Sequence, residues 1–214
     1  MSLISIPIKI KCLLDLIRIN KPIGFLLLMW PCWFALAILP INPFLNLKWF
    51  FLFFIGSFLM RSAGCIINDF VDIKIDKKIK RTSERPLTSK KIKKFEAIIF
   101  LVLILLLAFL ILIQFNTKAI IVSLFSLPLI VLYPFMKRFT YWPQLMLGIV
   151  FNWGILIVAI QFYQYIPSIY IIFYIGCIFW TLGYDTIYAY QDREDDLLNG
   201  IKSTAVLLGA KGKL

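Results

Sequence analysis

Six apolar segments set the limits on what this chain can fold into. They occupy residues 23–39, 49–67, 95–115, 119–135, 145–160 and 169–184. A bilayer core takes about 20 apolar residues wound as helix, and each segment comes close to that length. Of the 214 residues, 61% are hydrophobic, against about 45–50% in soluble domains. Mean hydropathy is +0.89. The predicted fold is therefore all-α, a multi-pass transmembrane helical bundle in a lipid bilayer. Pro40, Pro43, Pro86, Pro143 and Pro167 punctuate the joins, as residues that cannot continue a helix. Apolar segments recur along the whole chain, which argues against a cleaved leader. Residues 206–210 are expected to open a seventh span, and the chain stops before it could cross.

The net charge is +12. In a soluble protein that excess would suggest nucleic acid, but in a membrane protein it records orientation, because cytoplasmic loops retain Lys and Arg. No nucleic-acid partner is expected. With Lys9, Lys11, Arg18 and Lys21 on the cytoplasmic side, alternation puts residues 68–94, 136–143 and 185–205 there too. All 11 acidic and 21 of the 23 basic residues then share that side, with only Lys48 and Lys118 opposite. Ten of the basic residues crowd into 74–94. Cys12, Cys32, Cys65 and Cys177 are widely spaced, and histidine is absent. Zinc or redox chemistry thus has little to work with, and the cysteines read as small buried hydrophobes.

Two acidic clusters then fall at one membrane face. In NDFVDIKIDKK (68–78), Asn68, Asp72 and Asp76 step by four residues, which places them within about 80° of arc on a helix. Around QDREDD (191–196), Tyr188, Asp192 and Asp196 repeat the step, and Asp185 joins their face at nearly two turns' distance. Stacked carboxylates repel one another and recruit cations. Oxygen-only ligands favour Mg²⁺ or Ca²⁺, and Mg²⁺ is commonly held by carboxylates together with substrate phosphates. Arg61, Lys80, Arg81, Arg85, Lys137, Arg138 and Arg193 are at hand to neutralise a diphosphate. Taken singly, each charge reads as a solvated loop residue. Two matched stripes on one side favour a site. Most of the aromatic residues read as interfacial belts and lipid-facing Phe.

RSAGCIINDFVDIKIDKKIKRTSERPL (61–87) and YDTIYAYQDREDDLLNGIKSTAVLLG (184–209) resemble the two signature stretches of UbiA-type intramembrane prenyltransferases. Among these they are most similar to the branch acting on 4-hydroxybenzoate in ubiquinone biosynthesis. RINKPIGFLLLMWPCWFAL (18–36) and YPFMKRFTYWPQLMLGIVFNWG (133–154) add two further matches. The resemblance implies one membrane-embedded prenyltransferase domain over residues 1–214, short at its C-terminus, since family members usually carry nine spans. It implies a cavity open towards lipid and capped by the two cytoplasmic motifs, in a bacterial cell inner membrane. The partners implied are polyprenyl diphosphate and 4-hydroxybenzoate, and the cofactor is Mg²⁺. Asp72, Asp76, Asp192 and Asp196 are the implied metal ligands. Asn68, Arg61, Arg81, Lys137, Arg138 and Tyr188 are the implied diphosphate or substrate contacts, and Asp69 or Asp185 the implied base. A CDP-alcohol phosphatidyltransferase needs Asp-Gly and Ala-Arg after its first aspartates, which are missing here. A chain-elongating prenyl synthase needs DDxxD, and EDDLLN (194–199) lacks the last carboxylate. A transporter would place its carboxylates nearer mid-bilayer.

Overall fold

The computed structural model describes residues 7–40, 47–79 and 81–212; Pro43 and Lys80 lie outside them. Among the described residues the structure is helical without strands. Helix α1 (Ile8–Leu16) is followed by α2 (Ile23–Ala37), α3 (Leu47–Asp76), α4 (Lys94–Leu112) and α5 (Thr117–Phe139). Then come α6 (Pro143–Asn152), α7 (Gly154–Tyr163), α8 (Ser168–Ala189), α9 (Arg193–Leu198) and α10 (Thr204–Leu208). Helices with no water around them must satisfy their backbone internally, and polar caps finish the ends that reach out. Asn116 accepts the Ala119 N–H at 2.9 Å to start α5. Glu96 accepts the Lys93 N–H at 3.0 Å to start α4, and Pro143 opens α6, where a missing N–H is harmless.

Five stretches are long and apolar enough to cross a membrane: α3, α4, α5, the α6–α7 pair, and α8 continued to Leu198. The sixth expected span, 23–39, forms the 15-residue α2, short of the roughly 20 residues a full crossing takes. The expected span at 49–67 does not stop there. It runs on to Asp76 as one 30-residue helix, so the first acidic stripe is the end of a span. Conversely, the span expected at 145–160 is jointed at Trp153 into α6 and α7. Residues 206–210 enter α10 and a 3₁₀ turn at Gly209–Gly212.

Helix α3 is the central post, flanked by α2 and α4 and touched by α5. Helix α6 packs along α8, and α7 lies against α2 and α5. Two apolar clusters result. Leu16, Leu59, Ile66 and Leu87 join α1, α3 and the α3–α4 connection. Cys32, Phe53, Ile155 and Tyr170 join α2, α3, α7 and α8. Cys12, Cys32 and Cys65 are buried as expected and Cys177 half-buried. The apolar side chains left exposed on α4, α5 and α8, such as Leu106, Phe125 and Ile172, belong on spans bathed in lipid.

Candidate functional site

Because α3 continues without a break, the four-residue step of its polar residues survives as a stripe at one end of the bundle. The carboxylates there are buried and held by cations from other elements. Asp69, 1% exposed, accepts from Arg18 Nη2 at 2.7 Å and Arg85 Nη1 at 3.1 Å. Arg85 Nη1 also reaches Asp76 at 2.7 Å. Asp72, equally buried, pairs with Lys137 of α5, and Arg138 Nη2 stands 3.8 Å from its Oδ1. Arg138 donates instead to the Val71 carbonyl at 3.0 Å. Asp72 Oδ1 has no hydrogen-bond partner among the described residues.

Arg18 reaches Asp69 from a left-handed turn between α1 and α2, at φ 58°, a conformation that side chains other than glycine's adopt at some cost. Burial works to strip its guanidinium of charge. The carboxylates of Asp69, which is hydrogen-bonded to it, and of Asp76 outweigh burial and hold its pKa above the ordinary arginine value. It therefore remains a cation inside the protein.

The second stripe is built differently. Asp185 and Tyr188 lie on α8, but that helix ends at Ala189, and a 3₁₀ turn at Tyr190–Asp192 precedes the six-residue α9. The turn breaks the four-residue step expected to run on to Asp196. Asp192 pairs with Arg81 at 2.5 Å. The returning chain is tied back by the Lys202 N–H, which donates to the Lys137 carbonyl at 2.8 Å, and by Thr186 and Thr204, whose hydroxyls meet at 2.7 Å.

Two cavities meet where these segments approach each other. The smaller, about 220 Å³, is lined by Asn68, Lys137, Asp185, Tyr188, Asp192 and Asp196. The larger, about 2020 Å³, shares Asn68, Lys137, Asp185 and Tyr188 with it and adds Arg61, Asp69 and Arg81. Away from this polar end its wall is apolar, with Phe58, Leu105, Phe109, Leu127 and Phe151 from α3 to α6. Asp72, Asp76 and Arg138 line neither cavity. The structure thus does not gather Asp72, Asp76, Asp192 and Asp196 into one cluster. No group of three acidic or thiol side chains disposed to hold a metal occurs among the described residues. The reason is charge: Lys137, Arg85 and Arg81 occupy three of these carboxylates.

Arg61, Asp185 and Asp196 are in no salt bridge among the described residues, and of these Arg61 and Asp185 line the larger cavity. Sequence reasoning passed over Tyr133, which lines both cavities. Its four-residue spacing from Lys137 puts the two on one face of α5, and that spacing was the available signal. Arg18 carried no such periodic mark and read only as one of the N-terminal basic residues.

A helical membrane bundle whose polar groups gather at the mouth of a deep apolar cavity defines a class, an intramembrane protein suited to molecules with an anionic head and a long apolar tail. The chain matches the UbiA prenyltransferase family over residues 28–214, and it belongs to that family. A 4-hydroxybenzoate octaprenyltransferase from Pseudomonas syringae pv. tomato is 45% identical over 91% of this chain and 66% of its own length. The chain therefore spans just under two thirds of that relative, and as little as 46% of another. A UbiA homologue from Aeropyrum pernix K1 superimposes with a TM-score of 0.73 at 26% identity, covering 88% of this chain and 70% of that one. A UbiA homologue from Archaeoglobus fulgidus bound to DMAPP and Mg²⁺ gives a TM-score of 0.67 at 19% identity, over 93% of this chain and 70% of that one. At that identity the likeness is one of fold.

Proposed function

We propose that this chain forms the site for transfer of a polyprenyl group from polyprenyl diphosphate to 4-hydroxybenzoate, at the ring carbon ortho to the hydroxyl, in ubiquinone biosynthesis. The observation that carries this reading is the larger cavity, with Arg61, Asn68, Lys137 and Asp185 at one end and an apolar wall beyond them. The name of the Pseudomonas relative supports the choice of acceptor. The diphosphate head would lie at the polar end and the isoprenoid tail along the apolar wall.

The donor set fits Mg²⁺, a hard cation that takes oxygen ligands. Asp72 has an oxygen without a hydrogen-bond partner, and Asp192 and Asp196 face the small cavity. Asp192 and Asp196 would hold the ion at that cavity; Asp72 and Asp76, which line neither cavity, would join them only on leaving Lys137 and Arg85. The Mg²⁺ and DMAPP bound by the Archaeoglobus homologue support this assignment. When bound, Mg²⁺ neutralises charge on the diphosphate. Arg61, Arg81 and Lys137, which line the larger cavity, would supply further positive charge there as the allylic carbon–oxygen bond breaks and its electron pair leaves with the diphosphate. Arg138, which lines neither cavity, would act through Asp72. The cavity's apolar wall keeps water from the allylic cation. The electron-rich ring carbon forms the new carbon–carbon bond and then loses its proton. Asp185, in no salt bridge among the described residues, would accept that proton, and Asn68 and Tyr188 line the same cavity. Asp69 is held by Arg18 and Arg85 and is better suited to hold those cations.

We place the protein in a bacterial cell inner membrane, with the N-terminus and both acidic segments cytoplasmic. The concentration of Lys and Arg on that side supports this orientation. The test is prenyl transfer in membranes containing the chain, with 4-hydroxybenzoate and labelled polyprenyl diphosphate, with Mg²⁺ or excess chelator. Product that needs Mg²⁺ and vanishes in Asp72→Ala is expected. Product that persists under chelation would remove Mg²⁺ from the proposal, and no product would overturn the acceptor assignment.

A further inference from the structure

Gly24 lies in the first turn of α2, where the backbone does not require glycine. Space does. A Cβ built at Gly24 would stand 2.7 Å from Arg61 Nε, 3.1 Å from Nη2 and 3.3 Å from Cζ. Three guanidinium atoms at that range mean that the group lies along bare backbone. The Phe151 ring lies 5.5 Å from Arg61 Cζ, so the guanidinium has both the α2 backbone and an aromatic ring as neighbours. Neither provides a counter-ion. The other cavity-lining arginines, Arg18, Arg81 and Arg85, each hold a carboxylate, whereas Arg61 is in no salt bridge among the described residues. The N-terminal turn of α2 carries the positive end of the helix dipole and compensates nothing. Asp185 lines the same cavity and is near enough to act on Arg61 electrostatically. No salt bridge joins the two, which leaves the guanidinium open to an anionic oxygen in the cavity.

We propose that Gly24 is a positioning residue, whose bare backbone together with Phe151 forms a slot that aims the Arg61 guanidinium at an anionic oxygen of a substrate. The inference rests on the transfer reading above, and the anion is either the donor's diphosphate or the acceptor's carboxylate.

The test compares wild type, Gly24→Ala, Arg61→Lys, the double variant and Gly176→Ala. Gly176 has nothing within 4 Å of its built Cβ, so that variant controls for alanine in a helix. Gly24→Ala need only push aside the end of a flexible side chain, so thermal unfolding should match the Gly176→Ala control. Its KM for one substrate should rise about tenfold, the worth of one charged hydrogen bond, with a smaller change in kcat. A rise confined to 4-hydroxybenzoate assigns the carboxylate, and one confined to the donor assigns the diphosphate. In the Arg61→Lys background Gly24→Ala should add nothing. Unchanged KM values, or the same added loss in that background, would overturn the proposal. Calorimetric titration with 4-hydroxybenzoate and with inorganic pyrophosphate probes the slot independently of transfer. If wild type transfers nothing but Gly24→Ala still weakens binding of one of them, the transfer reading falls and the slot stands. Equal binding by both forms, or none by wild type, overturns the slot.

Discussion

The two acidic segments share a composition and a membrane face but are embedded differently. The first is the end of a 30-residue helix, with Asp69, Asp72 and Asp76 all under 5% exposed. Cations reach it from the α1–α2 turn, the α3–α4 connection and α5. The second follows the end of α8 on a 3₁₀ turn and a short helix, with Asp192 and Asp196 only half-buried. Asp192 is tied to Arg81, whose own side chain is 49% exposed. Buried charges that lose a partner destabilise a protein severely, whereas exposed pairs contribute little. The first segment is thus part of what holds the bundle together. The second can change partners at small cost, as a ligand-binding segment should.

The largest effect that could break this contrast is expected at Asp69. Asp69→Ala leaves Arg18 and Arg85 facing a vacated buried position and should destabilise the fold by about 3–5 kcal/mol, read as a lower unfolding temperature in detergent. An unfolding temperature like that of wild type would mean that the first segment is no more structural than the second.

Asp192→Asn should behave in the opposite way. Stability should change by no more than about 1 kcal/mol, the range of an exposed pair. Prenyl transfer should fall by about 10²–10³, as when a group that stabilises developing charge is removed. Unfolding temperature and turnover measured on the same preparation separate the two. A large thermal shift with turnover retained would invert the roles of the segments.

What the sequence made legible follows the same divide. The apolar segments and charge asymmetry determined an all-helical membrane bundle, and the four-residue step of Asn68, Asp72 and Asp76 was readable because α3 continues through them. The same step at Tyr188, Asp192 and Asp196 was readable only in part: the chain leaves α-helical geometry at Tyr190, yet the three still face one cavity together with Asp185. The pairings were out of reach. Arg18 meets Asp69 across 51 residues and Arg81 meets Asp192 across 111, and local periodicity carries no information on such distances. Asp69 therefore read as a possible base when its surroundings make it a counter-ion. Gly24 was hidden for a related reason: its role depends on a side chain from another helix.

The smallest expected effect sharpens the comparison most. Arg81→Ala removes the partner of Asp192 without touching the first segment. At the proposed Mg²⁺ site its guanidinium and the cation would compete for the same carboxylate oxygen, and the metal would have to displace the arginine. An exposed pair contributes about 0–1 kcal/mol, which caps the gain in metal affinity at about fivefold on removing it. Unfolding temperature should not move. Mg²⁺ titration by calorimetry, without substrate, should show that modest tightening in Arg81→Ala and none in Lys9→Ala, which breaks the remote surface pair with Glu96. With diphosphate present the sign should reverse, because Arg81, lining the cavity, then contributes positive charge to the substrate. Weaker Mg²⁺ binding by Arg81→Ala in the absence of diphosphate would show that the arginine props the second segment in shape, and the two acidic segments would then be alike in being structural.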